Sequence, residues 1–295
     1  MRSHAYAKIN WDLRILGRRP DGFHELDTVM VNVSLYDVME FEHADRISLD
    51  CSDPSLPTDS KNLAFRAAEL LQKSSGYKGG VKITLTKQIP AGGGMGGGSS
   101  DAACTLKSLN ALWGLNWTTE QLQPIAAELG SDVAFFLYGG WCRCLGRGEK
   151  VEPLQKNELG NPINLLLLFP PWPVATPSVY KKLSYPVWDG KSNLRALTDV
   201  STAIQSACFN VRTNNFLELG LVNDLTKSAV QVEPRLTGLQ TVLEKLFPGR
   251  WLMSGSGSVH FVVRAAADDL QALKETLASQ IDVGIRVHPA TTFTP

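Results

Sequence analysis

The sequence predicts a two-domain α+β protein, and three observations lead to this prediction. Its 295 residues exceed what one average hydrophobic core holds. Strand-like segments recur along the chain, with helical periodicity between them. A polar segment with Gly and Pro, residues 155–162, interrupts the pattern near the middle. We therefore predict domains at 1–157 and 158–295, in which helices stack on one side of the strands.

Strand and helix patterns alternate through the first half of the chain. Val- and Ile-rich or alternating segments predict strands at 5–16, 26–41, 46–51 and 81–86, and a hairpin of 141–145 with 150–154. Apolar residues at helical spacing predict helices at 62–73, after the glycines of 92–98, at 118–130 and at 133–138. Thr118 and Gln121 match a capping box, although Pro124 lies inside the helix that they would begin.

The second half is predicted to begin with a buried strand, because residues 163–169 form a nearly continuous apolar run. A proline-rich loop at 170–177 and a short helix at 178–183 follow. Further helices are predicted at 198–209, 216–231, 234–247 and 268–280, and strands at 251–254, 259–263 and 284–289. The five cysteines lack metal or disulfide spacing, so we interpret them as reduced packing residues.

Composition limits the classes of function. The formal net charge is zero, so no basic excess favours binding to nucleic acid. No apolar run approaches the length of a membrane span, and the first residues lack the apolar core of a signal peptide. We therefore expect a cytoplasmic protein with a small-molecule substrate and no nucleic-acid or membrane partner, acting as a monomer or weak homodimer.

The densest signal is the glycine loop, residues 90–98, which holds six glycines within seven positions. Glycine permits positive φ and a close approach of the backbone to a ligand. A helical pattern follows at once, with Ser99 or Ser100 as the expected N-cap and Asp101 in the first turn. A glycine loop that leads into a helix N-terminus presents unpaired N–H groups and a positive dipole end, which favours phosphate binding.

Other glycine motifs fit this loop less well. The spacing of Gly92, Gly94 and Gly97 formally matches a dinucleotide fingerprint, but the preceding strand is too distant and no acidic strand end follows. A Walker A loop requires a lysine directly after the glycines, and none is present. A flexible linker would not begin an amphipathic helix in the middle of a domain.

The string from Pro90 to Ala103 resembles the second signature of the GHMP kinases, which phosphorylate small alcohols with ATP. Residues 7–10, 17–26, 62–68, 130–133, 146–149 and 254–257 resemble other segments of that family, in the same order. The segment 21–24 is similar to the branch that acts on 4-diphosphocytidyl-2-C-methyl-D-erythritol (CDP-methylerythritol). The resemblance implies a ribosomal-protein-S5-like N-terminal domain and a ferredoxin-like C-terminal domain, with the substrate in the cleft between them.

The activity that this resemblance implies is transfer of the γ-phosphoryl group of ATP to the 2-hydroxyl of CDP-methylerythritol. That reaction belongs to the methylerythritol phosphate route to isoprenoids, and it would use ATP and Mg²⁺. A mevalonate or homoserine type of GHMP kinase is the nearest alternative. A non-catalytic nucleotide sensor on the same fold and a dinucleotide oxidoreductase are the others.

The resemblance implies that Lys8 and Asp132 carry the chemistry. A carboxylate can accept the proton of the attacking hydroxyl, and an ammonium can neutralise charge on the transferred group. From the residues alone, Asp132 could equally cap the helix at 133–138, and Lys8 could be an exposed surface lysine.

Substrate-binding roles are implied for Asn10, Phe23, His24, Thr176 and Tyr180. Phe23 and Tyr180 resemble the two aromatic positions that hold the cytosine ring between them, and His24 would hydrogen-bond the edge of the base. Asn10 would hydrogen-bond the diol. The alternative is that the aromatic residues are ordinary packing residues and that the histidine is structural.

The ATP-binding residues that the resemblance implies comprise one asparagine near the adenine, the glycine loop with its two serines, and part of a second glycine turn: Asn62, Pro90, Ala91, Gly92, Gly93, Gly94, Met95, Gly96, Gly97, Gly98, Ser99, Ser100, Gly255 and Ser256. Ser99 and Asp101 lie where Mg²⁺ between the β- and γ-phosphates would need oxygen ligands. The alternatives are that these polar residues only cap the helix and that 255–257 is an ordinary tight turn.

Overall fold

The computed structural model describes residues 1–154, 162–191, 193–216, 219–265, 268–281 and 284–293. In this part of the chain the strands are β1 (Arg2–Arg18), β2 (His24–Ala44), β3 (Ser48–Cys51), β4 (Gly80–Thr86), β5 (Trp141–Gly146), β6 (Lys150–Pro153), β7 (Asn164–Phe169), β8 (Val222–Asn223), β9 (Trp251–Met253), β10 (His260–Val263) and β11 (Arg286–Phe293). The helices are α1 (Leu63–Ser75), α2 (Gly97–Leu112), α3 (Thr119–Leu129), α4 (Ser131–Tyr138), α5 (Thr176–Lys181), α6 (Leu197–Arg212), α7 (Thr226–Val232), α8 (Leu236–Leu246) and α9 (Leu270–Ala278).

Two long strands form the centre of the sheet. β1 runs antiparallel to β2 along nearly its whole length. The other edge of β2 pairs in turn with β5, β11 and β4. From β11 the sheet continues through β7 and β10 to β9, so that one sheet joins both halves of the chain. The predicted boundary segment, 155–162, lies outside the described residues except for Pro162, and the division at 157/158 stays a prediction.

Helices cover both faces of the sheet, so the prediction of helices on one side is wrong. α1 to α4 pack on the face that carries Phe41, whereas α6 covers the opposite face of β1 and β2. In β7, Leu165 and Leu167 join the core under α6, and Leu166 and Leu168 join the core under α5, α7 and α8. Successive strand residues point to opposite faces, so a continuously apolar strand needs a cover on each side.

Most predicted elements are present with shifted ends. The capping box is confirmed, because Thr118 and Gln121 exchange side-chain-to-backbone hydrogen bonds, and Pro124 lies inside α3 without ending it. The helix predicted at 216–231 is wrong. Residues 217 and 218 lie outside the described residues, and the rest contains β8 and the shorter α7. Gly220, in a left-handed conformation (φ 65°), lies just before β8.

Packing also bears on the cysteines and on membrane insertion. All five cysteines are free thiols, and four of them are buried, as predicted. In the part of the chain that the structure describes, no helix combines the length and the apolar character that a membrane crossing requires.

A buried ion network ties the second half of the chain to the central strands. The guanidinium of Arg195 lies 2.6 Å from Asp12 and 2.7 Å from Asp27, and that of Arg143 lies 3.0 Å from Asp27. Burial alone would raise the pKa of Asp27, but the hydrogen bonds from Arg195 and Arg143 outweigh burial and lower this pKa. The charged carboxylate therefore stabilises the fold above the unfolded pKa, and this contribution is lost as pH falls through the folded pKa.

Candidate active site

Nearly all residues implied in ATP and substrate binding line one cleft. The cleft has a volume of about 1080 Å³, and its walls come from β1, β2, the glycine loop, α4, α5 and the turn at 255–256. Among the predicted residues only Ser100 is absent from its lining. Ser100 is buried, and its hydroxyl donates a hydrogen bond to the Tyr6 carbonyl at 2.6 Å.

Lys8 is a buried residue of the cleft wall, not an exposed surface lysine. It is 3 % exposed, its Nζ donates to Asn10 Oδ1 at 2.6 Å, and the same Nζ lies 3.5 Å from Asp132 Oδ2. Asn10 Nδ2 donates to Thr28 Oγ1 at 2.9 Å, which turns the amide oxygen toward the ammonium. Lys8 and Asn10, two residues apart on β1, lie on the same face of the strand. A buried charge needs such partners, because its desolvation is otherwise unfavourable.

Asp132 does not cap the helix on which it lies. α4 begins at Ser131 after Gly130, and its N-terminus has no side-chain cap. Asp132 lies in the first turn, where the positive end of the helix dipole favours a carboxylate. Its side chain is 31 % exposed and lines the cleft, so the carboxylate is open to a ligand.

The glycine loop lies between β1 and the segment 254–259. The Lys8 amide donates to the Met95 carbonyl at 3.1 Å, and the Val259 amide donates to the Gly93 carbonyl at 3.2 Å. A Cβ on Gly93 would lie 2.7 Å from the Val259 side chain. The backbone of the loop is thus held from two sides, by β1 and by the segment 254–259. The distance between the loop and this segment leaves little room for side chains.

The N-cap predicted at Ser99 or Ser100 is wrong, because α2 begins three or four residues earlier than those caps imply. Gly96 takes the N-cap position with φ 69°, and Gly97 begins the helix. A Cβ on Gly96 would lie 2.8 Å from the ring of Phe136, so this position requires glycine for both conformation and space. The first amides of α2 lack intrahelical partners, and the glycines before them line the cleft, which suits an anion.

A cluster of three charged side chains lies under the glycine loop. Lys87 Nζ lies 2.5 Å from Asp37 Oδ2 and 2.7 Å from Asp101 Oδ2. Burial alone would lower the pKa of Lys87, but the two carboxylates outweigh it and raise this pKa. Burial raises the pKa of Asp101 although Lys87 opposes the shift. The cluster connects the segments on both sides of the glycine loop to β2, where Asp37 lies.

The residues expected at Mg²⁺ fit a hard cation. Asp101 Oδ1 is buried and has no hydrogen-bond partner among the described residues, and Ser99 lines the cleft. Oxygen donors of this kind suit Mg²⁺ when phosphate oxygens and water complete the coordination. Within the described ranges, no group of three or more His, Cys, Asp or Glu side chains could hold a metal ion without phosphate or water as further ligands.

Aromatic and basic side chains form another part of the cleft. Phe23 is 53 % exposed, and the guanidinium of Arg147 lies 4.9 Å from the centre of its ring. The ring of Tyr180 packs beside His24, with centroids 5.4 Å apart. Burial and then the charge of Arg18 lower the pKa of His24, which leaves its imidazole neutral at pH 7.

The remaining predicted residues have partners of their own. Thr176 Oγ1 lies 2.7 Å from Ser256 Oγ, so the start of α5 contacts the second glycine turn. Asn62 caps α1, because its Oδ1 accepts from the Ala64 amide at 2.9 Å, and it lines the cleft at the same time. Sequence reasoning missed Arg147 as a cleft residue, although its place in the turn between two glycines was an available signal.

Comparisons with known proteins bear on the family of this chain. The family model of the GHMP kinases N terminal domain matches residues 62–140. A 4-diphosphocytidyl-2-C-methyl-D-erythritol kinase from Acaryochloris marina is 37% identical, over 96% of this chain and 93% of its own. One from Chlorobium chlorochromatii is 36% identical, over 94% of this chain and 93% of its own. This chain belongs to the 4-diphosphocytidyl-2-C-methyl-D-erythritol kinase family, a branch of the GHMP kinases.

Solved structures confirm the predicted α+β fold of the GHMP kinases. A crystal structure of 4-(cytidine 5'-diphospho)-2C-methyl-D-erythritol kinase superposes with a TM-score of 0.78 at 32% identity, and the match covers 100% of both chains. A mevalonate kinase of L. major reaches a TM-score of 0.69 at 15% identity, over 100% of this chain and 96% of its own. This more distant likeness shows the shared fold alone.

The glycine loop provides a test of the nucleotide site. Gly94 has φ 78°, and a Cβ on it would lie 2.3 Å from the Ser254 carbonyl oxygen. Gly94→Ala should weaken the binding of an ATP analogue by about tenfold or more, because the displaced amides no longer converge on the phosphates. Isothermal titration calorimetry measures this dissociation constant.

Gly114→Ala is the matched control for this variant. Gly114 has a similar φ of 64°, but no atom of the described residues lies within 4 Å of an added Cβ, and the residue is outside the cleft lining. This change should destabilise the fold by about 1–2 kcal/mol and leave nucleotide affinity unaltered. Equal nucleotide affinities for the two variants would contradict the prediction.

Proposed function

We propose that this chain transfers the γ-phosphoryl group of ATP to the 2-hydroxyl of 4-diphosphocytidyl-2-C-methyl-D-erythritol. The products are the 2-phosphate and ADP, in the methylerythritol phosphate route to isoprenoids. The observation that carries the proposal is the approach of the buried Lys8 ammonium to the Asp132 carboxylate, 3.5 Å apart, in the cleft that the glycine loop lines. The names of the relatives support this choice of acceptor.

ATP would bind with its phosphates against the glycine loop and the first turn of α2. Backbone amides in this arrangement bind anions without a side chain. Asn62 and its neighbours at the start of α1 line the same cleft and would face the adenine. Mg²⁺, held by the Ser99 hydroxyl and the unpaired Oδ1 of Asp101, would neutralise charge on the phosphates.

The proton of the attacking hydroxyl would move to Asp132. Its carboxylate lines the cleft and can accept a proton from a group within hydrogen-bond reach. Lys8 would offset the negative charge that develops on the transferred group. Asn10, which holds Lys8, would also hydrogen-bond the diol of the acceptor.

The cytidine end of the acceptor would lie between Phe23 and Tyr180. Aromatic rings can stack on the face of any nucleobase. The neutral imidazole of His24 can hydrogen-bond the edge of the cytosine. Thr176 lies at the start of the same helix as Tyr180 and would complete this wall. The basic side chains of Arg18, Arg147 and Lys181 line the cleft and suit the diphosphate of the acceptor.

The organisation of the molecule is consistent with a single-chain catalyst. We propose that residues 1–157 form the ATP-binding domain and that 158–295 complete the cleft. Because one chain supplies the whole lining described here, a monomer or weak homodimer suffices. With ATP as co-substrate, we place the reaction in the cytoplasm.

The alternatives account for fewer features of the cleft. Mevalonate and homoserine contain no nucleobase, so Phe23 and Tyr180 would have no ring to hold between them. A nucleotide sensor would have no use for the contact between Lys8 and Asp132. The context of the glycines excludes the dinucleotide fingerprint.

An ADP-release assay with ATP and Mg²⁺ tests the proposed function. CDP-methylerythritol should support turnover, whereas mevalonate and homoserine should give ADP only at the background rate. Turnover with mevalonate or homoserine in place of CDP-methylerythritol would favour a different GHMP activity. Binding of ATP without turnover of any of the three would favour a sensor.

Asp132→Asn should lower kcat by about 10²- to 10⁴-fold, because the amide cannot accept the proton of the hydroxyl. Nucleotide affinity should be retained, since the glycine loop is untouched. Ser131→Ala, one residue earlier on α4 and also in the cleft lining, is the control and should keep most of the activity. Near-normal kcat in Asp132→Asn would show that Asp132 is not the base.

Phe23→Ala should raise KM for the cytidylyl acceptor by about 5- to 100-fold, since one base–aromatic stack contributes about 1–3 kcal/mol. KM for ATP should stay unchanged in the same steady-state assay. Phe209→Ala is a matched control, because this phenylalanine on α6 is similarly exposed, at 59 %, but lies outside the cleft lining. An unaltered acceptor KM in Phe23→Ala would remove this ring from the stack.

A further inference from the structure

The turn at 254–257 contacts Lys8 and Asn10 on β1 and also the glycine loop. A Cβ on Gly255 would lie 3.3 Å from Asn10 Oδ1 and 3.5 Å from Lys8 Nζ, so the backbone of this turn lies against both side chains. The backbone amide of Asn10 donates to Ser254 Oγ at 3.3 Å, and the Ser254 hydroxyl donates to the Gly94 carbonyl at 3.1 Å. The turn therefore bridges β1 and the glycine loop next to the Lys8 ammonium.

The side chain of Asn223 holds this turn. Its Nδ2 donates to the Met253 carbonyl at 2.7 Å and to the Gly255 carbonyl at 2.8 Å. Its Oδ1 accepts from the Leu225 amide at 2.9 Å. The residue is 8 % exposed, and both amide protons and the amide oxygen are engaged with backbone groups. An asparagine thus matches the three partners with two donors and one acceptor.

Asn223 is in turn fixed to the strand that carries Lys8. β8 pairs in parallel with β1, with Asn223 opposite Leu13. The Asp224 amide donates to the Leu13 carbonyl at 3.0 Å, and Asp224 Oδ2 accepts from the Ile15 amide at 2.8 Å. The strand, Asn223 and the turn therefore form a closed frame beside Lys8, in which hydrogen bonds join β8 to β1, Asn223 to the turn and the turn to Asn10.

We propose that Asn223 is a positioning residue for phosphoryl transfer. Its amide holds the 254–257 turn at the place where Lys8, Asn10 and the glycine loop converge on the transferred group. Asn223 is not part of the cleft lining, so it acts through the turn and does not touch a substrate. The inference rests on the proposed function, because transfer to the acceptor is the reaction that it would align.

Asn223→Asp tests the proposal with a nearly isosteric change. The aspartate keeps an oxygen for the Leu225 amide but loses both donors and directs a carboxylate at two carbonyl oxygens. We expect kcat to fall by about 10- to 100-fold, because small displacements of reacting groups have effects of this size. The KM for CDP-methylerythritol should stay within about twofold, since Phe23, His24 and Tyr180, which are proposed to hold the cytosine ring, are not part of the turn.

Asn110→Asp is the matched control. Asn110, near the end of α2, donates to the Trp117 carbonyl and accepts from the Trp117 amide, both at 2.9 Å, and it is outside the cleft lining. It is the same substitution at a half-buried asparagine that also bridges backbone groups. It should lower the melting temperature without changing kcat at a temperature where both variants are folded.

The outcomes separate the possible failures. If wild-type protein gives no ADP with CDP-methylerythritol, the proposed function fails, and weaker binding of an ATP analogue to Asn223→Asp than to Asn110→Asp would still support the frame. If wild-type protein is active and Asn223→Asp keeps its kcat, or loses it only in proportion to the unfolded fraction, the positioning role is refuted. If Asn223→Asp does not fold, Asn223→Ala removes the donors without adding a charge and takes its place. Failure of both to fold, with Asn110→Asp folded, would make the residue a determinant of folding only and overturn the proposal.

Discussion

The burial of the Lys8 ammonium is the constraint on which the site depends. A charge with 3 % exposure must have fixed polar partners, and Asn10 and Asp132 provide them from a strand and from a helix more than a hundred residues later. Asn10 is itself held by Thr28 on β2. The central strand pair and α4 must therefore pack in one arrangement, and that arrangement places an acid and an amine side by side in the cleft.

Close backbone packing is the second constraint, and it follows from the first. The glycine loop, β1 and the 254–257 turn contact one another mainly through main-chain groups around Lys8. A Cβ would lie 2.3 Å from backbone at Gly94 and 2.8 Å from a ring at Gly96. Buried ion pairs hold the surrounding segments together. Lys87 lies between Asp37 and Asp101 under the glycine loop. Arg195 pairs with Asp12 on β1 and with Asp27 on β2.

Local patterns predicted much of the fold, and the failures have physical reasons. The capping box at Thr118 was correct because both partners lie within one turn of chain. The cap at Ser99 or Ser100 was wrong because α2 begins inside the glycine run, at Gly97, and the space against Phe136 requires glycine at the N-cap position, Gly96. The helix predicted at 216–231 was wrong because β8 gains its hydrogen bonds from β1, about 210 residues earlier, which no local periodicity reveals.

The sequence by itself determined most of the elements, the glycine loop and the kinase family, because each depends on residues close together in the chain or on a long specific string. Whether Lys8 is buried or exposed, and whether Asp132 caps its helix, was open until tertiary packing decided both. The same holds for Asn223 and Arg147, whose surroundings come from distant segments. Burial and contact across the sheet are properties of the folded chain, since the free energy of a charge or an amide depends on the groups that surround it in space.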